Sequence, residues 1–182
     1  MTLHTFTVYV EDRPGVLNRV ASLFRRRGFN IQSLSVGHSE TAGVSRMTVV
    51  VETDAGGASR IKAHLYKLIH VVRVEDITDR ASVVRDLALI KVSANHHNRA
   101  EVMQLAHAFH ARVVDIAPES LVVEMVGSEA KSDALVEVLK PYGLLEMVRT
   151  GRVAMARGSG AGVSANVSRL PSEAEEGVSY SV

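Results

Sequence analysis

The chain has 182 residues, 21 of them basic and 20 acidic, for a formal net charge of +1, and it contains neither cysteine nor tryptophan. That balance gives no electrostatic case for a nucleic-acid partner, and the missing cysteine excludes disulfides, a thiolate nucleophile and a Cys-ligated metal. The start "MTLHTFTVYV" lacks the basic residues and long apolar run of a signal peptide, and no stretch approaches the roughly 18 apolar residues of a membrane span, so a soluble cytoplasmic protein is expected.

Residues 4 to 10, "HTFTVYV", alternate as a half-buried strand, with Phe6, Val8 and Val10 on one side and Thr5, Thr7 and Tyr9 on the other. Val16, Leu17, Val20, Ala21 and Phe24 then mark one helical face, closed by "RRRG", where arginines suit the negative helix end and Gly28 suits the C′ position. "FNIQSLSV" and "SRMTVVVET" read as strands joined by the turn "GHSETAGV". "ASRIKAHLYKLIH" places Ile61, Leu65, Leu68 and Ile69 on one helical face, and "VVRVEDI" is a fourth strand. The order is βαββαβ, a ferredoxin-like unit.

The order then recurs. "LALIKVSA" reads as a strand and "AEVMQLAHAFH" as a helix with Val102, Leu105, Ala106 and Phe109 on one face. "ARVVDIA" and "SLVVEMVG" follow as strands, "KSDALVEVLKPYG" as a helix and "LLEMVRTGRVAM" as a last strand. The segments "FRRRGFNI" from Phe24 and "FHARVVDI" from Phe109 share Phe, Arg and Ile in register, which aligns the halves. The fold class is therefore α+β, two ferredoxin-like units in tandem, assigned to residues 1–78 and 84–157. "TDRASVVRD" (78–86) joins them, and the Gly-, Ser- and Glu-rich stretch 158–182 is expected to be disordered. Each unit places both helices on one face of its sheet. The other face, carrying Tyr9, Ser35 and Thr48 in the first unit, is expected to stay open, with a free strand edge that invites a second chain.

The turn "DRPG" leads from the first strand into the first helix. Pro14 fits the first helical position, and the exposed N–H groups of the following turn suit a carboxylate. Asp12 beside them can accept an ammonium group. Asn30 offers both donor and acceptor and can face the corresponding turn of a paired chain. Two readings stand side by side at this point: a turn that only caps a helix, and a seat for a zwitterionic amino acid.

The runs "VYVEDRPGVLNRVASLFRRRGFNIQSLSVG", "SRMTVVVE" and "LYKLIHVVRVEDIT" resemble the amino-terminal ACT domain of acetolactate (acetohydroxyacid) synthase regulatory small subunits. "RDLALIKVSA", "VVDIAPESLVVEMVG" and "LKPYGLLEMVRTGRVAMARG" resemble that family's carboxy-terminal domain. The resemblance implies a subunit with no catalytic residue of its own, dimeric through its ACT domains. It implies a large catalytic partner that carries thiamine diphosphate, Mg²⁺ and usually FAD, and that this chain activates. It further implies feedback inhibition by valine, in some members by leucine or isoleucine, bound at the interface of the two ACT domains. The matching site residues are Asp12, Gly15, Val16 and Leu17 from one chain and Asn30 and Ile31 from the facing one. Some members carry Asn at the position of Asp12; an aspartate still pairs with an ammonium but cannot donate to a carboxylate.

The alternative is a free-standing amino-acid-sensing ACT protein that controls another enzyme. His96, His97, His107 and His110 crowd one segment, and His107 and His110, one turn apart, could share a metal; with no Cys or carboxylate at zincin spacing, a polar helix face and its loop is the expected reading. "FRRRG" reads as a solvated helix end, since three arginines alone make no basic stripe.

Overall fold

The computed structural model describes residues 1–158, so the tail expected to be disordered lies almost wholly outside the described residues. Strand β1 (Thr2–Glu11) lies between β3 (Val44–Thr53) and β4 (Val71–Asp76), and β2 (Ile31–His38) flanks β3, giving the antiparallel order β2-β3-β1-β4. Helices α1 (Val16–Arg26) and α2 (Ala55–Leu65) cover one face. The spacing of Val16, Val20 and Phe24 puts these three α1 side chains into a core with Phe6, Val8, Met47, Val49, Ile61 and Leu65, and Leu23 on the same helix is buried as well.

The second unit repeats the plan. Its strands are β5 (Ser82–Ser93), β6 (Arg112–Ala117), β7 (Ser120–Gly127) and β8 (Leu144–Arg149), in the order β6-β7-β5-β8, and its helices are α3 (Arg99–Ala108) and α4 (Glu129–Leu139). A separate core forms from Ile90, Val92, Val102, Leu121, Val123, Met125, Leu135 and Leu139.

Five expectations are corrected. The segment 78–86 is a linker only as far as Ala81, because β5 begins at Ser82 and its first four residues pair with a further strand, β9 (Val153–Ala156). The expected last strand is accordingly two strands, β8 and β9, broken at Thr150–Arg152, where Gly151 has φ 81°. The second helix starts at Ala55, where the Asp54 carboxylate accepts the Gly57 amide at 2.6 Å, and it stops at Leu65. Ile69 therefore falls in the turn beyond it and is 85% exposed rather than buried.

The fourth correction concerns the open sheet face. Thr7 and Thr48 are each only 2% exposed and Val50 only 1%, although they point away from the helices. The chain covers this face itself. Arg46 Nη2 donates to the Ala154 carbonyl, the Arg152 amide donates to Ser33 Oγ at 2.7 Å, and Ala154 is buried. The fifth is the alignment of the two halves. The turn after α1 closes with Phe29 N–H donating to Phe24 O, and the turn after α3 closes with Ala111 N–H donating to Ala106 O. Phe24 thus corresponds to Ala106, not Phe109, and Gly28 to His110. Helix-end geometry aligns the units where the residue types do not.

Candidate functional site

In "DRPG" the Val16 amide donates to the Arg13 carbonyl at 3.3 Å, and Gly15 has φ 81° and ψ −5°, the angles of the third residue of a type II turn. Pro14 presets the second position of that turn and Gly15 supplies the positive φ. The helix starts at Val16, so Pro14 precedes it rather than opening it. Among the described residues the amides of Leu17 and Asn18 have no backbone acceptor, and no side chain caps this end. These are donors at the positive end of a helix, suited to a carboxylate.

Asp12 follows the end of β1, and its amide donates to Gly43 O at 2.8 Å. Ser45 Oγ donates to Asp12 Oδ1 at 3.2 Å, and His38 Nδ1 lies 3.3 Å from Oδ2, an ion pair when the imidazole is protonated. The carboxylate stays about half exposed. Ser45 and His38 are the site neighbours that sequence reasoning missed. Ser45 lies in the quoted "SRMT" run, but only the pairing of β2 with β3, which sets His38 opposite Ser45, brings both to Asp12.

The six candidate residues fall into two places. Asp12, Gly15 and Leu17 are exposed at the turn, while Val16 is buried in the core with its amide already engaged. Asn30 is exposed and Ile31 half-buried at the opposite end of β2, where Ile31 pairs with Val51. The length of β2 separates the two groups by about 23 Å, at about 3.3 Å per residue. One chain does not bring them together.

The two edges of this sheet differ. On β4, the Tyr66 hydroxyl donates to Val74 O and accepts from Val74 N–H, both at 3.1 Å, so the outward backbone groups of Val74, mid-strand, are satisfied. On β2, the strand pairs only with β3 among the described residues. That edge has no second strand along it, although the returning chain at Gly151 lies beside Ser33 and Leu34.

The family described as AHAS small subunit-like ACT domain matches residues 6–73, and the family described as small subunit of acetolactate synthase matches residues 85–158. The protein named "Probable acetolactate synthase small subunit" in Archaeoglobus fulgidus is 47% identical over 156 residues, which is 86% of this chain and 98% of that protein. The acetolactate synthase small subunit of Mycobacterium bovis is 48% identical over 155 residues, 85% of this chain and 92% of that protein. The chain belongs to the acetolactate synthase small-subunit family. The crystal structure of the Thermotoga maritima small subunit superimposes with a TM-score of 0.82 at 37% identity, over 87% of this chain and 99% of that one. The chain is thus a regulatory small subunit with an ACT domain, and the free-standing sensor gives way to this assignment. Among the described residues no helix is long and apolar enough to cross a membrane.

Proposed function

We propose that this small subunit activates the catalytic subunit of acetolactate synthase and makes it sensitive to valine, bound between two copies of the first unit. The observation that carries the dimeric site is the contrast of edges: Tyr66 blocks β4 at Val74, no second strand pairs with β2 among the described residues, and the two groups of site residues lie at the two ends of β2. A second copy running antiparallel along β2 brings its Asn30 and Ile31 beside the Asp12 turn of the first. Asp12 then takes the ammonium group, the free amides after Gly15 take the carboxylate, and Leu17 and Ile31 flank the apolar side chain. One methylene is worth only about 1–3 kcal/mol in such a pocket, so leucine and isoleucine compete.

Residues 1–78 serve effector binding and dimerisation in this reading, and 84–157 form the second domain. Thiamine diphosphate, Mg²⁺ and FAD belong to the catalytic partner, and no residue here is assigned to them. Inhibition requires valine to favour one arrangement of the dimer; couplings of about 1–3 kcal/mol change affinity some 5- to 150-fold. The test is acetolactate formation by the same organism's catalytic subunit, alone, with this chain, and with this chain plus valine. Activation that valine reverses supports the reading. Activation without inhibition removes the effector site, and no response removes the regulatory role.

A further inference from the structure

The net charge of the whole chain conceals a strong local asymmetry. Residues 13–39 and 55–74, which contain both helices of the first unit, include no aspartate and no glutamate. Arg19, Arg25, Arg26 and Arg27 project from α1 and its end, and Arg60, Lys62 and Lys67 from α2 and the turn after it; all are exposed. None forms a salt bridge among the described residues. The helices of the second unit, by contrast, mix signs and form pairs such as Arg149–Asp133 and Arg152–Glu129.

Cations at helix C-termini have a local explanation in the helix dipole, which covers Arg25, Arg26 and Lys62. It does not cover Arg19 or Arg60, which stand further back. The ends of α1 and α2 also converge. Arg26, Arg27, His64 and Lys67 surround an open groove of about 300 Å³ with Leu23 and Leu68 in its lining. His64 sits below its ordinary pKa there, first through desolvation and then through the charges of Arg27, Lys67 and Arg60. "FRRRG", which alone makes no basic stripe, is completed by the residues α2 brings beside it.

We propose that this helix layer is a docking surface for an acidic patch on the catalytic subunit; the proposal rests on the regulatory reading above and names its contact. A protein surface fits better than a small anion for two reasons. The cations extend along both helices, well beyond one groove. Tyr66, 50% exposed, and Ile69, 85% exposed, directly flank the groove residues Lys67 and Leu68 in the chain. An exposed aromatic and an exposed aliphatic next in the chain to a groove that arginines line have the composition of a protein interface, and a phosphate has no use for them. The uncompensated charges also steer association, which a regulatory subunit that must find its partner can exploit.

The experiment titrates wild-type small subunit into a fixed amount of catalytic subunit, reading both activity and direct association by light scattering, at low and moderate salt. It is repeated with Arg26→Gln/Arg27→Gln/Lys67→Gln, with the charge-matched control Arg85→Gln/Lys131→Gln/Arg157→Gln on the second unit, and with Ile69→Ser, whose exposure makes it neutral for folding. The first triple and Ile69→Ser should raise the half-saturating concentration, about tenfold for the triple, with maximal activation kept and salt sensitivity reduced. The control should not move it. Equal shifts in both triples, or none in the first triple and Ile69→Ser, overturn the docking surface while leaving the regulatory role intact. A wild type that neither binds nor activates removes both. Loss of binding to a short labelled DNA duplex in the first triple, with activation unmoved, would assign the surface to nucleic acid instead and overturn the proposal.

Discussion

His110 occupies in the second unit the place Gly28 occupies in the first. Both follow a helix in the left-handed region, with φ 56° and 71°, and in each case the next amide reaches back to close the helix end, Phe29 to Phe24 at 3.0 Å and Ala111 to Ala106 at 2.9 Å. A side chain in this conformation costs about 1–2 kcal/mol, partly offset because glycine has more freedom to lose on folding. His110 is exposed, so its ring contributes little packing in return. His110→Gly should therefore stabilise the protein by about 0.5–1 kcal/mol, and Gly28→Ala should destabilise it by about 1 kcal/mol. Urea midpoints of the two variants test this; a lower midpoint for His110→Gly would mean the imidazole makes contacts that outweigh the strain.

This pair also shows what the sequence can and cannot convey. Strands such as Ser120–Gly127 and the core positions Val20, Phe24, Ile61 and Val102 were legible because burial has a period, and the period survives in the residue types. The alignment of the halves was misplaced because a shared Phe and Arg are chemically conspicuous, whereas a shared backbone angle leaves only a glycine in one unit and a histidine in the other. The first half of β5 was hidden for a different reason. "SVVRD" carries charge at Arg85 and Asp86 and looks like a loop until β9 returns from about 70 residues later to pair with it, and Asp86 is buried with Ser132 Oγ donating to it. The same return closes the sheet face that local reasoning leaves open. At the candidate site, Asp12 and Gly15 could be read from the turn, but Ser45 and His38 reach Asp12 only through strand pairing.

Gly151 lies where the returning chain packs against β2 of the first unit. It has φ 81°, and a β-carbon there would lie 3.0 Å from Ser33 Oγ and 3.2 Å from the Leu34 carbonyl. Gly151→Ala combines backbone strain with a clash against backbone and should destabilise the junction by about 2 kcal/mol or more. Ser33→Ala leaves the Arg152 amide without its acceptor and should cost about 1–2 kcal/mol. Limited proteolysis around residues 78–82 and thermal melting provide the measurement. Both variants should cleave faster there than wild type, and unchanged cleavage with lowered melting would place the damage inside one unit instead.

Acid should act on the first unit through Asp76. Burial alone would raise its pKa, but the Thr78 hydroxyl and amide, and then His4, outweigh burial and hold it below the ordinary 3.8. His4 Nδ1 lies 2.9 Å from Oδ2, and the Thr78 amide donates to Oδ1 at 3.0 Å. A carboxylate depressed in the folded state contributes stability that is complete above its unfolded pKa and disappears as pH falls through the folded one. Stability should therefore decline as pH drops below about 4, and Asp76→Asn should be less stable than wild type at neutral pH with a flatter acid slope. Urea midpoints across the acid range decide this. Parallel curves for the two proteins would assign the acid response to other carboxylates.

At the effector turn, Asp12→Ala should weaken valine inhibition while activation persists, because the ammonium loses its counter-charge and the exposed position carries no core packing. Hydrogen bonds to charged groups are worth about 1.5–3 kcal/mol, so the inhibitory valine concentration should rise roughly 10- to 100-fold. Ser45→Ala should do less, a few-fold, since Ser45 Oγ only orients the carboxylate. Asn30→Ala should resemble Asp12→Ala although the two residues lie at opposite ends of β2 in one chain. Inhibition curves at fixed small subunit test the series. Loss of activation together with inhibition would show that the turn also holds the catalytic partner.

The open edge gives the last prediction, which separates dimerisation from effector chemistry. Val36 lies on β2, opposite Met47 and 44% exposed, so a longer charged side chain there costs the folded chain little. A lysine on an edge strand discourages another strand from approaching, because pairing would bring two like charges together across the two-fold and strip their water. Val36→Lys should shift the isolated protein toward monomer in sedimentation equilibrium, with its urea midpoint nearly unchanged. Valine affinity should fall with it, because the Asn30 half of the site arrives only with the second copy. A variant that stays dimeric and still binds valine would move the interface off β2. A variant that becomes monomeric yet keeps full valine affinity would place the whole site within one chain, against the separation of Asp12 and Asn30 along the strand.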